Sequence, residues 1–138
     1  MIQLAETQSL VAQADNVVAF PDGLPGFESC RRFLVVSPAA GSPYSVVQAV
    51  DPPQPSFLAI DPVLVFKRYR ATLSGPDRLR LQAKTEDPLL WLAIVSLHHD
   101  GSASANLRAP LVINPRLMVG FQIVPHRSLY PIRQPLSL

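Results

Sequence analysis

Apolar residues along this chain cluster in short runs separated by turn residues. The runs are residues 17–20, 33–36, 45–50, 57–60, 63–66, 91–95, 110–113 and 121–124. Most have the length of a strand, carry β-branched or aromatic residues and are bounded by Pro, Gly, Asp or Asn. Arg78-Leu-Arg-Leu-Gln-Ala-Lys84 alternates strictly, with Leu79, Leu81 and Ala83 on one side and Arg78, Arg80, Gln82 and Lys84 on the other. That is a period of two, which predicts a half-buried strand. Val63-Leu-Val-Phe66 and Trp91-Leu-Ala-Ile-Val95 predict strands buried on both faces. At 89–97 a buried helix would show the same periodicity. About eight to ten short strands separated by turns predict a mainly β chain, a compact antiparallel β-barrel or sandwich with short helical or 3-10 turns.

Proline placement supports this. Fifteen prolines in 138 residues is about twice the usual ~5% share, and proline interrupts both helices and central strands. Residues 1–20, 63–75, 77–87 and 89–109 are windows between prolines long enough for an ordinary helix. There is no internal repeat, and Pro52-Pro-Gln-Pro55 reads as a stiff loop and not a linker. One β domain over 1–138 is expected, with residues 1–16 as a less ordered N-terminal segment.

A chain with 48% hydrophobic and 16% charged residues has a globular composition. Its single cysteine, Cys30, allows no internal disulfide and suits a reducing compartment. Met1-Ile-Gln-Leu-Ala-Glu-Thr-Gln8 has neither a basic nor an apolar leader region, and the longest apolar run, 89–95, falls well below the ~20 residues of a membrane span. The expectation is a soluble cytoplasmic protein with no membrane partner. Charge is uneven: residues 1–66 carry six acids and two bases, residues 67–138 ten bases and four acids, for a net +2 and a pI near 9.0.

The chain is poor in catalytic candidates. No serine lies in a Gly-x-Ser-x-Gly elbow, and no phosphate loop or dinucleotide fingerprint occurs. Cys30 precedes Arg31 and Arg32 but has no evident base partner. His98-His99-Asp100 is the best metal or acid–base candidate. Neighbouring strand residues face opposite ways, however, so a third ligand would have to come from His126 or a distant carboxylate. Glu86-Asp87 before Pro88 suits a turn. Neither an enzyme nor a cofactor is expected. The competing functional class is a basic small β-barrel nucleic-acid-binding module, with Lys67-Arg-Tyr-Arg70 tracking phosphates and Tyr69 stacking a base.

Two turns stand out. In Phe20-Pro-Asp-Gly-Leu-Pro-Gly-Phe27, Pro25 and Gly26 are the residues a type II turn requires at its two central positions. In Asn106-Leu-Arg-Ala-Pro-Leu-Val-Ile-Asn114, Asn106 can bond its own backbone and Asn114-Pro115 closes a strand. Between and after them come Tyr44-Ser-Val-Val-Gln48, Asp51-Pro52, Phe57-Leu-Ala-Ile-Asp-Pro62, Glu86-Asp87, Gly120 with Gln122-Ile123, and Tyr130-Pro-Ile-Arg133 followed by Pro135-Leu136. This ordered set, from about residue 17 to residue 135, resembles the bacterial flagellar assembly factor FliW family.

The resemblance implies a non-enzymatic partner switch. FliW-like proteins bind flagellin in the cytoplasm as chaperone-like assembly factors. They also antagonise the RNA-binding translational repressor CsrA, so that flagellin synthesis follows flagellin export. The two partners would exclude one another by overlap or by coupling. On their turn positions, Leu24 and Phe27 beside Asn106, Leu107 and Arg108 are the expected partner-binding residues. The chain departs from the family in charge: members tend to be acidic, whereas 63–84 here carries Lys67, Arg68, Arg70, Arg78, Arg80 and Lys84. Like charges weaken approach to a basic repressor. Either that contact lies elsewhere, or only the flagellin role is kept.

Overall fold

One long strand organises the sheet. The computed structural model describes residues 17–125 and 127–137; residues 1–16, expected as a less ordered segment, and His126 lie outside them. Strand β5 (Leu90–Leu97) pairs its first half with β7 (Leu111–Asn114) and its second with β6 (Ala103–Ala105). On its other edge lies β4 (Ser56–Ile60). From β4 the sheet continues through β3 (Tyr44–Ala49), β2 (Arg32–Val36), β1 (Val17–Ala19) and β8 (Val119–Gln122) back to β7. Seven strands thus close a barrel, which leaves no open edge in the ring. Closure runs through one parallel contact, Ala19 opposite Val119. Every other strand pairing among the described residues is antiparallel, as expected. Beyond the ring, β6 carries the short β9 (Gln134–Pro135).

Side-chain alternation divides the apolar residues among three clusters. Leu111 and Ile113 of β7 point into the barrel with Phe20, Phe33, Val47 and Leu92. Val112, between them, points outward to Leu81, Phe121 and Ile123. A strand buried on both faces therefore reads as an unbroken apolar run. Inside, Phe33 meets Phe20 edge-to-face at 5.2 Å between ring centroids. The third cluster, with Ile60, Tyr69, Val95, Ala105 and Leu107, lies where the β5–β6 hairpin leaves the ring.

Two predicted strands are short helices. Residues 63–66 fall in α1 (Pro62–Val65) and its C-cap Phe66. Asp61 caps this helix by accepting the Val63 N–H (3.0 Å), and Pro62 holds its first position. Asp61-Pro62 ends β4 and starts a helix in the same step. Far from being buried on both faces, Val63 and Leu64 are exposed.

The alternating segment Arg78–Lys84 mostly belongs to α2 (Gly75–Leu81). Ser74 caps it through Asp77 N–H (3.2 Å), a proline lies in the first turn, and Gln82 ends it in the left-handed region at φ 53°. Residues two apart on a helix are about 200° apart. Leu81 is accordingly fully buried while Leu79 is 79% exposed, instead of both sharing one strand face. The segment 89–97, for which a helix and a strand looked alike, is β5.

Candidate partner-binding site

The Asn106–Ala109 turn is locked by its own side chain and then by its neighbours. Asn106 Oδ1 accepts the N–H groups of Arg108 and Ala109, both at 3.0 Å. Leu107 N–H donates to Pro131 O (3.1 Å), Arg108 Nε to Tyr130 O (2.8 Å) and Tyr69 Oη to Leu107 O (2.9 Å). In return, Tyr130 Oη accepts the Arg70 N–H at 2.7 Å. The Arg68–Arg70 segment, the Leu107 turn and the Tyr130–Pro131 segment are thereby tied into one rigid unit. The Tyr69 and Tyr130 rings lie 4.5 Å apart at its centre.

Above this unit lies an apolar hollow of about 310 Å³, lined by Phe66, Leu107, Leu129, Tyr130, Pro131 and Gln134. Leu107 is only 1% exposed, whereas Leu129 at the rim is 94% exposed. Phe66 packs edge-to-face on Tyr130 at 5.8 Å, and both Phe66 and Ile132 remain exposed. A cluster of solvated large apolar side chains on a rigid frame is the surface feature that marks an interaction site. On the far side of Tyr69, a second hollow of about 500 Å³ is lined by Val63, Arg70, Ala71, Leu89, Leu90 and Trp91, among others.

Burial pushes the Tyr69 phenol up to about 12, with the Tyr130 phenol as a lesser cause. The folded state therefore holds this proton more tightly than the unfolded chain does. The resulting stability is complete below pH 10 and is lost as the pH rises towards 12. Tyr69→Phe removes the bond to Leu107 O and is expected to cost about 1–2 kcal/mol at pH 7. It should also flatten that alkaline loss, which urea titrations at pH 8 and pH 11 would reveal.

The other predicted turn lies elsewhere. Phe27 N–H donates to Leu24 O at 2.7 Å and Gly26 has φ +83°, as a type II turn requires. Leu24 is 2% exposed and Phe27 half-buried against Phe57, both in the barrel-interior cluster. The two turns thus rest on different clusters, and Leu24 and Leu107 are internal anchors with almost no free surface. Phe27, Asn106 and Arg108 are partly exposed. The sequence reading took Phe66 as a strand residue and passed over Leu129. Tyr130-Pro-Ile-Arg133 stood out in it, but an isolated Leu129 among polar neighbours has no periodicity to reveal it.

The remaining candidates have structural partners. Cys30 is buried, with Sγ 3.6 Å from the carbonyls of Asp51 and Pro52. His98 Nε2 and Ser104 Oγ are 2.8 Å apart. The Asp100 carboxyl, lowered chiefly by the Ser102 hydroxyl, accepts that hydroxyl at 2.6 Å and the Ser102 N–H at 2.9 Å. Among the described residues no three His, Cys, Asp or Glu side chains converge as a metal site. Asp87 holds its turn through Lys84 N–H (2.9 Å), the main cause of its lowered pKa. Tyr69, the proposed base-stacking platform, is buried, and Lys67 and Arg68 lie in a turn and not on a strand. No helix among the described residues is long and apolar enough to cross a membrane.

Comparisons with known proteins agree on one family. The family model described as FliW protein matches residues 2–136. The flagellar assembly factor FliW of Natranaerobius thermophilus is 34% identical, with 88% of this chain and 82% of that protein covered. Its counterpart in Symbiobacterium thermophilum is 36% identical, covering 88% and 90%. A crystal structure of the flagellar assembly factor FliW matches with a TM-score of 0.81 and 27% identity, over 90% of this chain and 87% of that one. A closed barrel with this connectivity and matches along almost the whole chain place the protein in the FliW family of flagellar assembly factors.

Proposed function

We propose that this chain binds flagellin in the cytoplasm as a chaperone-like partner, using the hollow floored by Leu107, and that it antagonises a CsrA-type translational repressor. The observation that carries the flagellin reading is the pair of exposed apolar side chains, Phe66 and Leu129, lining a hollow over a buried, hydrogen-bonded turn. Flagellin held before export must have an apolar surface covered, and a rigid acceptor loses little entropy in covering it. Asn106 and Arg108 border the hollow through their turn, with Leu107 as its floor. Phe27, anchored by Leu24, is a separate contact on the other turn. The repressor contact is placed away from Lys67, Arg68 and Arg70, because a basic RNA-binding protein would be repelled there.

Isothermal titration of the host's flagellin into this protein is expected to show 1:1 binding at micromolar or tighter Kd. Phe66→Ala should weaken it by about tenfold or more, the scale of an interface anchor. A second titration with the CsrA homologue tests the repressor branch. No heat with flagellin at any temperature would refute the main reading.

A further inference from the structure

The two hollows are separated only by a shared wall. Tyr69 lines one and Tyr130 the other, and their rings are 4.5 Å apart. Helix α1 borders both, placing Val63 at the second hollow and its C-cap Phe66 at the first. The exposed side chains along this path are Leu129, Phe66, Val63 and Leu90. The surrounding charge is predominantly basic. Lys67, Arg68, Arg70 and Arg133 are exposed and form no ion pair among the described residues. Asp61, the acid at the second hollow, is engaged in capping α1.

The backbone around the first hollow offers little for strand addition. Leu107 N–H and O, Tyr130 O, Pro131 O and Arg70 N–H are all already bonded. What remains available is side-chain carbon inside a basic collar, which is the acceptor half of helix-in-groove recognition.

We infer that the two hollows form one docking surface for an amphipathic helix whose apolar stripe is flanked by carboxylates. This rests on the flagellin reading for the identity of the natural partner, but not for its chemistry. Carboxylates beside the stripe would meet Lys67, Arg68 and Arg70, whereas a lysine-flanked helix of equal hydrophobicity would meet like charge.

The test uses two synthetic helices of about five turns, roughly 18 residues, with the same leucine stripe and either Glu or Lys flanks. Fluorescence anisotropy at low salt should give the Glu-flanked helix at least about tenfold tighter binding, the gap narrowing as salt screens it. The triple variant Lys67→Glu, Arg68→Glu, Arg70→Glu should reverse the preference. Leu129→Glu should weaken both helices, while Leu97→Glu, another strongly exposed site, on β5, should leave both unchanged. All of these side chains are exposed, so folding is not at stake. Equal binding of the two helices, or binding of neither, overturns the inference. Intact flagellin separates the two ideas. If it binds wild type and both variants alike, this surface is wrong and the flagellin reading survives. If flagellin fails to bind while the Glu-flanked helix binds as expected, the surface stands and the flagellin reading falls.

Discussion

Gly23→Ala is expected to destabilise the barrel by about 3–5 kcal/mol, although it adds a single methyl group. Gly23 has φ +63°, and a Cβ there would lie 2.7 Å from Glu28 Cα, Glu28 O and Phe27 O, all backbone atoms. No rotamer change can relieve that contact. The turn would have to open, and it holds Leu24 and Phe27 against the aromatic interior. Gly26→Ala provides the control. Its φ of +83° is equally unsuited to alanine, but nothing lies within 4 Å of the added carbon. Only the conformational cost of about 1–2 kcal/mol should appear there. Urea denaturation of both variants measures the difference, and equal losses would show that the close approach of Glu28 does not matter.

That turn illustrates what could be read in the sequence and what could not. Pro25-Gly26 carries its geometry locally, because φ preferences belong to the residues themselves. The barrel was legible for the same reason: short β-branched runs between turn residues leave few architectures. What failed was period without length. In Arg78–Lys84, alternation suggested a strand, yet Ser74-Gly-Pro-Asp77 just before it is a helix start, with a cap, a first-turn proline and an early acid. Likewise, the apolar run Val63–Phe66 suggested a strand, yet Asp61-Pro62 just before it is a cap followed by a first-turn proline. In each case the start signal outranked the pattern, because four to seven residues fit either period.

The candidate site was half legible. Asn106-Leu107-Arg108 drew notice through its turn chemistry, and that turn floors the hollow. Phe66, Leu129 and Tyr130 come together with it only through long-range bonds such as Arg70 N–H to Tyr130 Oη, sixty residues apart. No local pattern encodes such a meeting. The paired Leu24-Phe27 turn carries an equally strong signal, yet it packs on the barrel interior. Strong turn chemistry therefore marks where the backbone is fixed, and exposure decides whether that fixing serves a surface.

Asn114→Leu is the second large effect, expected to cost about 2–4 kcal/mol despite replacing a polar core residue with an apolar one of similar size. Asn114 is fully buried at the end of β7. Its Nδ2 donates to Leu81 O at 2.9 Å, and its Oδ1 accepts the Arg116 N–H at 3.1 Å. Leucine would leave both backbone groups without these partners. Leu81 O belongs to the last turn of α2, which has no successor helical N–H to accept from, so Asn114 is what fastens that end of the helix to the barrel. Fastened there, α2 covers the outward faces of Val112 and Phe121 and sets Arg80 over the Phe121 ring at 4.2 Å, beside its ion pair with Asp22. Loosening it should expose that cluster and speed hydrogen exchange in α2 ahead of global unfolding. The Leu107 hollow rests on a different cluster, whereas Leu89 and Trp91 of the second hollow pack on this one. Affinity at the Leu107 hollow, per folded molecule, should therefore stay at the wild-type value while the urea midpoint falls. A variant within about 0.5 kcal/mol of wild type would show that water readily replaces the side chain. A parallel loss of affinity would show that α2 and the hollow are coupled, with Leu89 and Trp91 as the shared packing that carries the effect.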